Sequence, residues 1–334
     1  MRIGVAPAAL VAVVLAIGAW LALSHLSGTR VRPNAPTGSR TPKLTAPPTS
    51  TPTARPASEP HVLVIMEENQ GYPATLGTCS ADPYLCSLAA SYTSANNWSG
   101  VTHPSVNNYL GLFSGATYGS ASPSINDSCT PSATACSTNA SNLGQQLTAK
   151  GIPWVSEQES MPSACYLSYG SGAYADRHDP VKYFNGIREN TAYCQQVDVP
   201  YPGSSAFVSQ LDGSSAPDFV FVTPNLNDDM HDGSVAAGDA WLKTNLAPVL
   251  ASSWFTNFNS TVIVTMDENT GDNSGAGGGQ VPNVVISSNA LGKGSLALTG
   301  SLYGDLRSIE EAYRLSLLGA AANSANGDLS SLFG

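Results

Sequence analysis

Positive charge is what this sequence has least of. Its 334 residues hold 14 Lys and Arg against 24 Asp and Glu, a formal charge of −10, and only 11% of residues are charged. The imbalance deepens along the chain. Residues 1–60 carry six basic side chains and one acid, which leaves eight against 23 in the remainder, a net −15. Phosphate backbones are gripped by clustered Lys and Arg, so a body this acidic excludes nucleic acid as a partner and favours cations. Also missing are an internal repeat, a C-x₂-C spacing that would argue for structural zinc, and the G-x-S-x-G turn of many serine hydrolases. Low charge is not disorder here. Hydrophobic residues make up 42% of the chain, enough to bury a core, and 31 glycines point to a loop-rich globule.

Arg2 precedes an apolar run from Ile3 to Leu23, broken only by small residues and Pro7. That is about the 20 residues a bilayer span needs. Residues 1–27 are read as a retained membrane anchor or as a cleaved signal peptide, for which Ala22-Leu23-Ser24 offers small residues at the cleavage position. Residues 28–60 are Pro, Thr, Ser and Ala with hardly an apolar anchor, the composition of a disordered, solvated tether. The expectation is an exported body, 61–334, either extracellular or tethered to the outer face of the membrane through its N-terminal segment alone. All six cysteines lie in that body. Of fifteen connectivities, nearest-neighbour pairing gives Cys79/Cys86, Cys129/Cys136 and Cys165/Cys194, which close loops poor in core residues.

The body alternates short β-branched runs with helical-period segments, the pattern of a parallel sheet covered by helices on both faces. Strands are predicted at His61–Met66, Ile152–Val155, Asp218–Thr223, Thr261–Met266 and Val281–Ser287. Helices are predicted at Pro83–Tyr92, Ser105–Phe113, Asn142–Lys150, Ala206–Leu211, Asp239–Leu250 and Leu302–Leu318. In open α/β sheets ligands bind beyond the carboxyl ends of the strands. Three predicted strands run straight into polar clusters there: Glu67-Glu68-Asn69, then Asn225 through Asp232, then Asp267-Glu268-Asn269. One acidic cluster is commonly a cap or a solvated loop. Three converging on one crevice repel one another unless a cation sits among them, and carboxylate and amide oxygens suit a hard divalent metal. Asp228 to Asp239 matches parts of a calcium-loop spacing, but Met230 stands where that loop needs oxygen.

The segment Thr102-His103-Pro104-Ser105-Val106-Asn107-Asn108 places a serine just after a proline suited to a helix start. Free N–H groups and the helix dipole favour an anion at that position. A serine there most often caps its helix. Beside a cation it is instead a nucleophile, with Asn108 holding developing charge and no His/Asp relay required.

The ordered blocks HVLVIMEENQ, THPSVNNYLGLFSG, RHDPVKYF, TPNLNDDMHDGSVAAGDAWL, VTMDEN and LRSIEEAYRL span most of 61–318. Together they resemble the phosphoesterase family of acid phosphatases and phospholipases C, within the alkaline-phosphatase superfamily. The resemblance implies a three-layer α/β/α sandwich with a mostly parallel sheet, and metal-dependent hydrolysis of phosphate esters through a phosphoserine. It implies Ser105 as nucleophile with Asn108 and His103 beside it, and His178 and His231 near the phosphate as donor or leaving-group acid. It implies Glu68, Asn69, Asp229, Asp267 and Glu268 around the metal. An acid-phosphatase-like phosphomonoesterase is the first reading; a phospholipase C, or an impaired surface module that binds without turnover, is the alternative. Asn107 stands where the family commonly has a proline after the serine, Met266 replaces a usual Trp, and no histidine follows His231.

Overall fold

The computed structural model describes residues 59–120, 124–270, 277–289 and 294–333. The expected anchor or signal (1–27) and tether (28–60) therefore lie outside the described residues, apart from Glu59 and Pro60. Among the described residues no helix is long and apolar enough to cross a membrane.

In chain order the strands are β1 (His61–Glu67), β2 (Thr93–Ser99), β3 (Trp154–Gln158), β4 (Asp198–Pro200), β5 (Phe219–Thr223), β6 (Ser260–Met266), β7 (Gln280–Val281), β8 (Asn283–Ser287) and β9 (Gly294–Ser301). The helices are α1 (Pro83–Ser91), α2 (Val106–Ser114), α3 (Leu143–Lys150), α4 (Asn185–Arg188), α5 (Thr191–Val197), α6 (Ser204–Leu211), α7 (Val235–Leu250), α8 (Ser253–Thr256) and α9 (Leu302–Ala312). The strands form one sheet in the order β4-β3-β5-β1-β6-β8-β2-β7, with β9 also paired to β2.

Every residue of β1 is buried, as are all those of β5 and β6 on either side of it. Strands without a solvent face read as continuous apolar runs, which is why these three were visible in the sequence. Val64 lies in parallel register with Phe221 on one side and Ile263 on the other. The carboxyl ends of three adjacent strands thus share one rim, and the acidic clusters follow directly from them.

The expectation of a mostly parallel sheet needs correction: the sheet is mixed. β8 runs antiparallel to both β6 and β2, and β7 antiparallel to β2. Pro282 splits the predicted strand Val281–Ser287, since it has no N–H to give a ladder. β2 and β9 were not predicted. β2 reads TSANNWS and β9 leaves alternate residues exposed, so neither carries a buried β-branched run. The strand predicted at Ile152–Val155 sits at Trp154–Gln158, and the last helix stops at Ala312 rather than Leu318, where Arg314 takes a left-handed backbone with φ 52°.

α2 is buried along its whole length, including Asn107 and Asn108. Its C-terminus turns through Gly115 (φ 68°), where a Cβ would fall 2.2 Å from the Leu318 carbonyl oxygen. Phe113 packs edge-on to Phe221 of β5 at 5.0 Å between ring centroids, which pins the helix across the sheet. The three disulfides are the predicted ones: Cys79–Cys86, Cys129–Cys136 and Cys165–Cys194.

Candidate active site

Ser105 occupies the position before the first turn of α2, yet its side chain makes no capping bond there. Asp127 does that work instead, its Oδ1 accepting the Val106 N–H at 3.0 Å. The serine hydroxyl is thereby released from its commonest structural role and donates to Glu68 Oε2 at 3.1 Å. Asn107, in place of the family's proline, ties α2 to the following loop: its Nδ2 donates to the Ile125 carbonyl at 2.9 Å and its Oδ1 accepts the Tyr118 N–H.

The remaining predicted residues join the same network. Glu68 Oε1 accepts from the Tyr109 hydroxyl at 2.6 Å and lies 3.2 Å from His178 Nε2. His178 Nδ1 faces Asp229 Oδ2 at 3.2 Å, and Asp229 Oδ1 accepts the His231 N–H at 2.8 Å. Asn69 donates through Nδ2 to Glu68 Oε2 at 3.1 Å and through its backbone N–H to Asp267 Oδ1 at 3.0 Å. On the other flank, Glu268 Oε2 accepts from Asn108 Nδ2 at 3.1 Å and meets His103 Nδ1 at 3.0 Å. Asn108 Oδ1 in turn accepts the Val101 and Thr102 N–H groups at 2.8 and 3.1 Å, so the strand-to-helix loop is fastened to the site. All ten predicted residues converge: Ser105, His178, His231, Asn108, His103, Glu68, Asn69, Asp267, Glu268 and Asp229.

So many buried acids are electrostatically unstable alone. Burial pushes the Asp267 carboxyl up to about 6, Asp229 to about 8 and Glu268 to about 9. Glu68 is raised well above the carboxylate range, first by burial and then by the charges of Asp267 and Asp229. Burial pushes the His178 imidazole down, favouring its neutral form. Several of these atoms have no hydrogen-bond partner among the described residues: Asp267 Oδ2, Asp229 Oδ2 and His178 Nε2 are buried and orphaned. Glu68, His178 and His231 each present a ligand atom within 4.8 Å of the others. A carboxylate oxygen and imidazole nitrogens this close together, with unpartnered carboxylate oxygens on neighbouring residues, are donors that fit a divalent cation. The histidines enlarge the expected carboxylate set, while Glu268 is turned toward His103 and Asn108.

Sequence reasoning gave no role to Tyr109, Asp127 or Arg177. Tyr109 was within reach, since the fourth residue after Ser105 shares its helix face. Asp127 sits in a polar loop remote in sequence, with no signal of its own. Arg177 Nη2 lies 3.2 Å from His231 Nε2. Because a guanidinium can only donate, His231 Nε2 is an acceptor in this arrangement and its Nδ1 carries the proton toward Asp232 Oδ1 at 2.8 Å.

A model of the phosphoesterase family matches residues 78–276. A phosphatidylinositol-3-phosphatase of Mycobacterium tuberculosis is 33% identical over 265 residues, 79% of this chain and 80% of that protein. Acid phosphatases of Aspergillus fumigatus and Penicillium chrysogenum, the latter named phosphate-repressible, are 26% and 28% identical over 57% and 62% of the chain. The chain spans less than half the length of these two fungal relatives, at 41% and 47%. In fold it is similar to an alkaline-phosphatase-superfamily protein of Vibrio parahaemolyticus, with a TM-score of 0.57 at 12% identity over 84% of this chain and 76% of that one. The chain belongs to the phosphoesterase family and is a phosphoric ester hydrolase.

Proposed function

We propose that the chain is an exported, acid-phosphatase-like phosphomonoesterase that acts by two successive displacements at Ser105. The observation that carries this reading is the serine hydroxyl that does not cap its helix but donates to buried Glu68 at 3.1 Å, in a network whose Asp229 and Asp267 each keep an unpartnered buried oxygen. In the first step Ser105 Oγ attacks phosphorus as its proton passes to a neighbouring carboxylate of the Glu68/Asp267 pair. The bond to the ester oxygen breaks, and the departing alcohol takes a proton from His231, whose ring lies 5.7 Å from that of His178. In the second step water attacks the phosphoserine and gives its proton to the histidine that lost one, the bond from phosphorus to Oγ breaks, phosphate leaves, and Ser105 regains its proton from the carboxylate that took it.

The α2 N-terminus would face the charge that spreads over the non-bridging oxygens during transfer, while Asn108, its amide donating to Thr102 and Glu268, fixes the loop that presents Ser105. Glu68, Asp229, Asp267 and His178 would hold a divalent cation, with Asn69 steadying Glu68. When bound, that cation neutralises the acids and lowers the proton affinity of the attacking hydroxyl.

Relatives named as phosphatases favour monoester hydrolysis over a phospholipase C activity. The intact network argues against a module that binds without turnover. Three disulfides support export, because such bonds persist in oxidising compartments. The α/β/α layering of the superfamily belongs to the same reading. The test is Ser105→Ala assayed on p-nitrophenyl phosphate with the melting temperature measured in parallel. A loss of roughly 10³-fold or more in kcat is expected, by analogy with removal of a covalent nucleophile. Wild-type turnover in the variant would end the proposal.

A further inference from the structure

The acids around Ser105 leave a second question, which is how an anionic substrate approaches them. Among the described residues, Arg177 is the one Lys or Arg that contacts the residues of this network, through His231 Nε2 at 3.2 Å. Its Nε lies 3.9 Å from Asp127 Oδ2, and Asp127 is fixed to the first turn of α2 through the Val106 N–H. Arg177 therefore lies between Asp127, which is bonded to the residue following the serine, and His231. Only the His231 contact is of hydrogen-bond length, so it engages one of the five N–H donors of the guanidinium, while Asp127 is an ion-pair neighbour. The side chain keeps 18% of its surface exposed, so it stands at the mouth rather than in the core.

A phosphomonoester dianion presents three non-bridging oxygens. A diester presents two, carries one charge less, and has a second alcohol where the third oxygen would be. Once the serine side of the site has engaged the first oxygens, the third needs a positively charged donor, and a planar guanidinium fork suits it. We infer that Arg177 is the residue that selects monoesters, binding the non-bridging oxygen that a diester lacks, with Asp127 as the positioning residue that holds the fork in place. This deepens the phosphomonoesterase reading and rests on it.

The test compares kcat/KM on p-nitrophenyl phosphate and bis(p-nitrophenyl) phosphate for the wild type, Arg177→Gln and Arg177→Lys. Arg177→Gln is expected to lose roughly 10- to 100-fold on the monoester, the worth of a charge-assisted hydrogen bond. The monoester-to-diester ratio should fall about tenfold or more, Arg177→Lys should be intermediate, and added guanidinium should restore part of the monoester rate to Arg177→Gln. An unchanged ratio, equal losses on both esters, or a loss that guanidinium does not relieve overturns the assignment. Should Arg177→Gln fail to fold, Arg177→Lys carries the same test, because it keeps the charge and loses the fork. If the wild type turns over neither ester, the phosphoesterase chemistry fails rather than this inference. Calorimetric binding of inorganic phosphate to wild type and Arg177→Lys then decides it: weaker binding by the variant supports the inference, and equal affinity overturns it.

Discussion

Tyr109 holds Glu68 from behind while Ser105 holds it from the front. The tyrosine hydroxyl donates to Oε1 at 2.6 Å, the serine hydroxyl to Oε2 at 3.1 Å, and tyrosine and glutamate are both fully sealed from solvent. The same α2 turn supplies both hydroxyls, so the carboxylate is oriented by the helix that carries the proposed nucleophile. Burial and the neighbouring Glu68 charge push the Tyr109 phenol well above its ordinary value, which keeps it a donor at every working pH.

Removing that donor alone is informative. Tyr109→Phe keeps the ring stacked on His178, at 5.4 Å between centroids, and deletes only the hydroxyl. A hydrogen bond to a charged group contributes about 1.5–3 kcal/mol, and loss of an outer partner of a metal ligand typically weakens the metal about 10- to 100-fold. We expect activity to fall and to recover in part at raised divalent cation. Full wild-type activity at limiting cation would show that Glu68 needs no such support.

The orphaned oxygens of Asp267 and Asp229 lead to a second expectation. Exhaustive chelation should lower both activity and melting temperature, since a ligand that binds only the native state stabilises it by mass action. Adding a divalent cation back should restore both. Asp267→Asn should reduce the metal found by elemental analysis. A chelated, metal-free protein with undiminished turnover would contradict this.

A third expectation concerns pH and lies away from the site. Asp305 is fully buried, accepting from Trp98 Nε1 at 2.8 Å and from Asn283 Nδ2 at 2.9 Å, and burial pushes its carboxyl up to about 7 from an ordinary 3.8. A folded-state value above the unfolded one means that the native form binds the proton more tightly. The contribution is therefore fully present below about pH 4 and is lost as pH rises through 7, on the order of 4 kcal/mol at most. Asp305→Asn cannot ionise, so the melting-temperature advantage of wild type over this variant should shrink between pH 4 and 8. A gap that is flat or widens with pH would refute the assignment.

The disulfides should differ in weight. Cys165–Cys194 joins residues 29 apart, while each of the other two joins residues seven apart. Chain-entropy arguments give about 3.6 kcal/mol for the longer loop and about 2.4 for a shorter one. The long bridge also adjoins β4, because the Cys165 N–H donates to the Asp198 carbonyl at 2.8 Å. Replacing Cys165 and Cys194 together by Ala should therefore lower the midpoint of denaturation more than replacing Cys79 and Cys86. The reverse order would show that local packing outweighs loop closure.

What the residues alone determined were features written in contiguous pattern. β1, β5 and β6 are continuous apolar runs because they are buried on both faces, and their acidic followers were legible because chemistry in such sheets gathers at carboxyl ends. The cysteine pairing was equally local. The tertiary structure decided what depends on distant partners. Whether Ser105 caps its helix or is free turned on Asp127, 22 residues away in a loop without periodicity. The direction of β8 turned on a sheet order that no single strand encodes, and polar β2 became a strand only because β8, β7 and β9 pair with it. The position of Arg177 between Asp127 and His231 arises the same way, since electrostatic neighbourhood is a property of the folded arrangement and not of spacing along the chain.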